Sequence, residues 1–132
     1  MSTLTQDERN TLQTAAYGVV TLLAAADRGK AGAVSTATVV ALNAATGVVG
    51  HIINDMKAKP NLKGRTVADI ADSVLPALTA SVGILEAKEP AEAENFRRTI
   101  GTAVSAAEQV HGGRPHPAAA ELIRKINSAL AA

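Results

Sequence analysis

The sequence predicts an all-α protein, a four- or five-helix bundle of up-and-down topology. Three observations carry this. Alanine, the strongest helix former, fills 28 of 132 positions. Apolar residues recur at three- and four-residue spacing along most of the chain, with no alternating run that would mark a strand. Helix-start residues and Gly/Pro breaks then cut the chain into segments of helical length.

The first helix begins at Thr5-Gln6-Asp7-Glu8, a capping box in which the Thr hydroxyl and the Glu carboxylate satisfy free amides. It runs to about Asp27, with Leu12, Ala15, Ala16, Val19, Leu22, Leu23 and Ala26 on one face. Asp27-Arg28-Gly29-Lys30 reads as a turn.

The second helix is expected over roughly Ala33 to Lys57. It contains an uncharged run of 24 residues, 31–54, bounded by Lys30 and Asp55. Such a run is long enough to cross a bilayer. Only fourteen of its residues are Ala, Val, Leu or Ile, six of those are Ala, and no Trp or Tyr anchors either end, so no membrane span is expected. Asn43, His51 and Asn54 would also be costly in hydrocarbon. A helix apolar nearly all round belongs inside protein, which makes this the expected central helix.

Residues 57–65 form the longest connection, with Pro60 and Gly64. Thr66 caps the third helix, with Asp69 at its third position, and a stripe from Val67 through Leu85 carries it to about Lys88. Pro76 lies inside it and is expected to kink it near Asp72–Val74. Pro90 opens the fourth helix, whose core stripe includes Phe96, Ile100, Val104 and Val110, and Gly112-Gly113 ends it. Pro117 begins a short fifth helix with Leu122, Ile123, Ile126 and Leu130 inward. The whole chain, 1–132, is expected to be one domain.

Composition excludes several functions. The net charge of +1 supplies no field for nucleic acid or an anionic membrane. With no Cys there is no thiol chemistry or thiolate metal site, and with one Phe, one Tyr and no Trp there is little to stack on bases. The polar N-terminus has no basic segment leading into an apolar stretch, so a cytoplasmic location is expected.

Gly18, Gly47, Gly50, Gly83 and Gly101 fall inside the expected helices. Each costs ~1 kcal/mol relative to Ala, a serious sum against a domain stability of ~5–15 kcal/mol. Close helix approach or room for a ligand would offset it. Thr14, Gly18, Thr21 and Ala25 form one small-residue stripe and Asn43, Gly47, Gly50 and Asn54 another, each away from the main core face. These stripes are expected to meet each other or a second copy of the chain.

The chemistry on offer is sparse. Glu108 and His111 have the Glu-x-x-His spacing of di-iron bundles, but the matching carboxylates are missing. His51 and Asp55, at i and i+4, could clip a metal or simply hydrogen-bond, and His111 and His116 flank a turn. Lys57, Lys59, Lys63 and Arg65 read as a solvated basic loop. No phosphate loop, nucleophile motif or zinc pattern is present, so no catalytic residue, metal or cofactor is assigned. Association, as a homo-oligomer or adaptor, is the leading functional expectation. A small, largely apolar ligand in a pocket beside the second helix is the alternative. The residues singled out for either role are Tyr17, Gly18, Asn43, Gly47, Gly50 and His51.

Overall fold

The capping box forms as the sequence dictates, with Glu8 N–H donating to the Thr5 hydroxyl at 3.1 Å and Thr5 N–H to the Glu8 carboxylate at 2.8 Å. From it, in the computed structural model, rises α1 (Gln6–Ala26), the first of six helices among the described residues. The others are α2 (Ala31–Asn43), α3 (Gly47–Asn54), α4 (Val67–Lys88), α5 (Pro90–Gln109) and α6 (Pro117–Ala131). The structure describes residues 4–27, 29–55, 66–114 and 117–131. Among them there is no strand.

The central helix is α1, not the uncharged segment. Ten of its residues are buried, and it touches each of the other five helices. By contrast, α2 buries only Val34, Thr38 and Leu42. Ala, Gly and Thr are uncharged but offer little apolar area, so a segment without charge need not be a segment in the core.

The expected second helix is also two helices. The chain turns at 44–46, and Gly47 enters α3 at φ 74°, a left-handed conformation that glycine adopts without steric cost. A Cβ on Gly50 would lie 2.3 Å from the Ala45 carbonyl oxygen, so the second glycine lets the corner close on itself. Both glycines therefore serve a bend within the chain.

Side-chain pairs set the helix directions. Lys88 binds Glu8 at 2.6 Å, and Gly18 lies against Val74, so α4 runs antiparallel to α1. Arg9 pairs with Asp55 at 2.9 Å, and Gln13 donates to the Ile52 carbonyl at 3.0 Å, so α2 and α3 also descend along α1. Consecutive α3 and α4 thus run the same way, which departs from the expected up-and-down order. The basic cluster Lys57, Lys59, Lys63 and Arg65 lies outside the described residues, as does His116. Then α5 climbs and α6 descends, its last carbonyls held by Thr79 (2.9 Å to Ala129) and Arg97 (3.0 Å to Leu130).

Pro76 sits in the fourth helix, not the third, and that helix runs unbroken from Val67 to Lys88. Pro76 and Asp72 are both exposed, so the carbonyl deprived of its donor is on the solvent side, where water can serve it. By length and composition α4 is the one described helix apolar and long enough to cross a membrane. Ile70, Ala71, Val74, Leu78, Ser81, Val82 and Leu85 are buried in the bundle.

Candidate functional site

The helix that departs most from expectation is α2, and its surroundings hold the features of interest. With Val34, Thr38 and Leu42 inward, Ala33, Thr36, Val40 and Asn43 point outward. Val40 is 63% exposed, the one large hydrophobic left open among the described residues. No charge occurs anywhere on α2. By contrast, the outer face of neighbouring α5 carries Glu94 and Arg98, and the outer face of α6, elsewhere in the bundle, carries Glu121, Arg124 and Lys125.

At the top of α2 is a buried carboxylate. Asp27 closes α1, its N–H donating to the Ala24 carbonyl at 3.1 Å, and opens α2 by accepting from the N–H groups of Gly29 (3.1 Å) and Lys30 (2.6 Å). Its other oxygen takes a hydrogen bond from His111 Nε2, in the turn after α5. A carboxylate only accepts, so Nε2 carries the hydrogen in this pair. The His111 bond holds the Asp27 carboxyl below the usual carboxylate range; burial opposes it, and the Lys30 and Gly29 amides reinforce it. Lys30 Nζ adds a bond to the Val110 carbonyl at 3.3 Å. Two inter-helix turns more than eighty residues apart are latched together here.

Glu108 lines the same spot, with Leu23, Val34 and Ile123, around a cavity of about 10 Å³. That is room for a single water at most. A carboxylate–imidazole pair can polarise a nucleophile in an open cleft, but nothing of substrate size enters here. The Glu-x-x-His pair therefore reaches one place with its histidine turned onto Asp27. Among the described residues no three His, Asp or Glu side chains gather as a metal site.

At the bottom of α2 is the corner. Thr46 holds the position before α3, yet its hydroxyl caps nothing. Glu92, reaching across from α5, accepts from Val49 N–H at 3.0 Å and does that work instead. Asn95 stitches the corner further, its amide donating to the Thr46 carbonyl at 2.8 Å and to Glu92 at 3.1 Å. Beside this network a groove of about 210 Å³ opens between α2 and α5, with Ala41, Ala44 and Ala45 on one wall and Thr46, Asn95, Arg98, Thr99 and Thr102 around it.

The six residues singled out from sequence do not form one site. Tyr17 and Asn43 do meet, the phenol donating to the Asn43 side-chain oxygen at 3.4 Å, and burial raises the Tyr17 hydroxyl above its ordinary pKa. Asn54 links the Asn43 and Gly50 carbonyls, at 3.4 and 2.8 Å. Gly18 faces α4 and Gly47 faces Glu92 and Asn95, so the two small-residue stripes do not meet each other. His51 is exposed, and Asp55 pairs with Arg9 rather than with it.

Sequence reasoning misses Asp27, Glu92, Asn95 and Arg98. The first three bond groups far along the chain, Asp27 to the His111 ring, Glu92 to the Val49 N–H and Asn95 to the Thr46 carbonyl, which no local spacing announces. The Thr46-Gly47 dipeptide, a capping residue followed by a turn residue, is the available signal for the corner. No family model, no curated protein and no solved structure matches this chain.

Proposed function

We propose that the protein acts by association, pairing with a second copy of itself through the outer face of α2. The observation that carries this reading is the thirteen-residue α2, free of charge, that buries three residues and leaves Val40 open. Depletion of charge marks the centres of protein interfaces, whereas solvent-facing helices of monomers mix charges of both signs. Two copies packing α2 on α2 about a two-fold axis would place Thr36 and Val40 at the centre, with small Ala33 and Ala37 allowing close approach.

The strip is small. Thirteen helical residues span about 20 Å, and at a helix width of about 10 Å the flat area is roughly 200 Å² per copy. Stable interfaces use about 800 Å² per partner, so the pairing is weak and concentration-dependent. An adaptor role, with a different protein on the same face, is the neighbouring reading.

A small apolar ligand is less well supported. The groove beside α2 has Arg98 and Asn95 in its walls, excludes Tyr17, Asn43 and His51, and at about 210 Å³ is smaller than the usual ~300–1,000 Å³ of ligand pockets.

The test is sedimentation velocity over a wide concentration range on the native protein and on Val40→Lys. Val40 is on the surface, so the variant keeps its fold. The weight-average mass of the native protein rises with concentration, and the variant shifts that rise at least about tenfold, because burying an unpaired ammonium costs well over ~1.4 kcal/mol. A native protein that stays monomeric to millimolar concentration sinks the proposal.

A further inference from the structure

We propose that the groove between the end of α2 and α5 binds a small hydroxy- or amino-carboxylate, with Arg98 holding the carboxylate. Arg9, Arg97 and Arg124 each pair with a carboxylate on the protein, at Asp55, Glu86 and Glu94, and Glu121. Among the described residues no carboxylate pairs with Arg98 or with Arg114, and of these two only Arg98 lines the groove. A free guanidinium fork fits a carboxylate with two parallel hydrogen bonds.

The rest of the wall is rich in acceptors. Thr99 and Thr102 spend their hydroxyl hydrogens on the carbonyls of Asn95 and Arg98, at 2.8 and 2.9 Å. The Asn95 amide hydrogens go to Thr46 and Glu92, leaving its carbonyl oxygen to accept. The Thr46 hydroxyl is released because Glu92 caps α3 in its place. One cationic fork among acceptors calls for a ligand with a carboxylate and a hydrogen-bond donor close to it.

Size and charge narrow the class. At about 210 Å³ the groove falls below the ~300–1,000 Å³ of pockets for drug-sized ligands, which limits its occupant to a small molecule such as a hydroxy acid or amino acid of a few carbons. Inorganic phosphate fits less well. The helix end that would welcome a dianion, the start of α3, already holds the Glu92 carboxylate.

The site is independent of the α2 pairing and is tested on dilute protein. Lactate and L-serine are titrated to tens of millimolar at constant ionic strength while amide and guanidinium ¹H–¹⁵N signals are recorded, with chloride and inorganic phosphate as controls. Saturable shifts at Thr46, Asn95 and Arg98 with lactate or serine, weaker with phosphate and abolished in Arg98→Gln, bear the proposal out. Shifts that rise linearly, match those of chloride or persist in Arg98→Gln overturn it, as does binding of phosphate more tightly than of either carboxylate. Arg98 is exposed, so its variant folds. Thr46→Val supplies a second readout, weakening lactate and serine severalfold while leaving acetate, which has no adjacent donor, unchanged.

Discussion

Replacing Gly18 with Ala should destabilise the protein even though Ala is the better helix former. A Cβ at position 18 would lie 2.4 Å from Val74 Cγ2 and 3.1 Å from Cγ1. Real Cβ atoms do not approach that closely. The obstructing group is a branched side chain fully buried in α4, so it has no open space to swing into. Overpacking of this kind costs ~1–3 kcal/mol, and the Gly-to-Ala gain in helix propensity returns ~1 kcal/mol, for a net loss of up to ~2 kcal/mol. Val74→Ala alone removes two buried methyl groups and costs about 2 kcal/mol. Combined, the changes should not add, because the methyl introduced at position 18 occupies space that the valine vacates. The double variant should be at least about 1 kcal/mol more stable than the sum of the singles. Urea denaturation of the four proteins measures this cycle. If Gly18→Ala stabilises, or the two changes add, then the close approach of α1 and α4 is not the reason for glycine at 18.

The same substitution should have the opposite sign at Gly83 and Gly101, where an added Cβ meets nothing within 4 Å, and thermal melts should show a gain of ~0.5–1 kcal/mol at each. A loss at Gly83 would point to an unseen contact on the outer face of α4. Asp27 gives the pH dependence: its folded carboxyl titrates below the ordinary value of 3.8, so its stabilisation is complete above that value and is lost as the pH falls through the folded one. Asp27→Asn should flatten this acid limb of the stability curve, and denaturant midpoints across the acid range check it. His111→Ala removes one hydrogen bond from the Asp27 carboxylate, which keeps those from Gly29 and Lys30, and should cost about 1–3 kcal/mol, measured in the same way. Thr5→Ala removes one half of the capping box and should cost about 1 kcal/mol, with faster amide exchange confined to the first turn of α1.

Local signals are legible in the sequence, and the effects of distant contacts are not. The Thr5–Glu8 box and the Thr66 and Pro90 starts each depend on residues within one turn, and each stands where spacing puts it. The core stripes of α5 and α6 hold for the same reason: Phe96, Ile100, Ile123 and Ile126 repeat at helical period. Lack of charge at 31–54 points to the wrong central helix, because burial follows apolar bulk, which α1 has in Leu12, Leu22 and Leu23. The corner at 44–46 is hidden because Ala44 and Ala45 are strong helix formers, and the bend is fixed from outside by Glu92 and Asn95. The Asp27–His111 latch joins residues 84 apart, and in sequence each looks like an ordinary turn residue.

The glycines follow the same division. Gly18 admits Val74 and Gly47 and Gly50 form a bend, so three of the five are accounted for within one chain. The proposed association therefore does not rest on the small-residue stripes. It rests on the exposed, chargeless face that the bend at 44–46 sets apart from the core.

A dilution series of ¹H–¹⁵N correlation spectra reads out whether the proposed association surface on α2 engages a second copy. Pairing through α2 gives concentration-dependent shifts at Ala33, Thr36, Val40 and Asn43, with α6 and the outer face of α4 unmoved. Spectra that do not change with concentration, or shifts centred on Pro76–Gly83 instead, would contradict it.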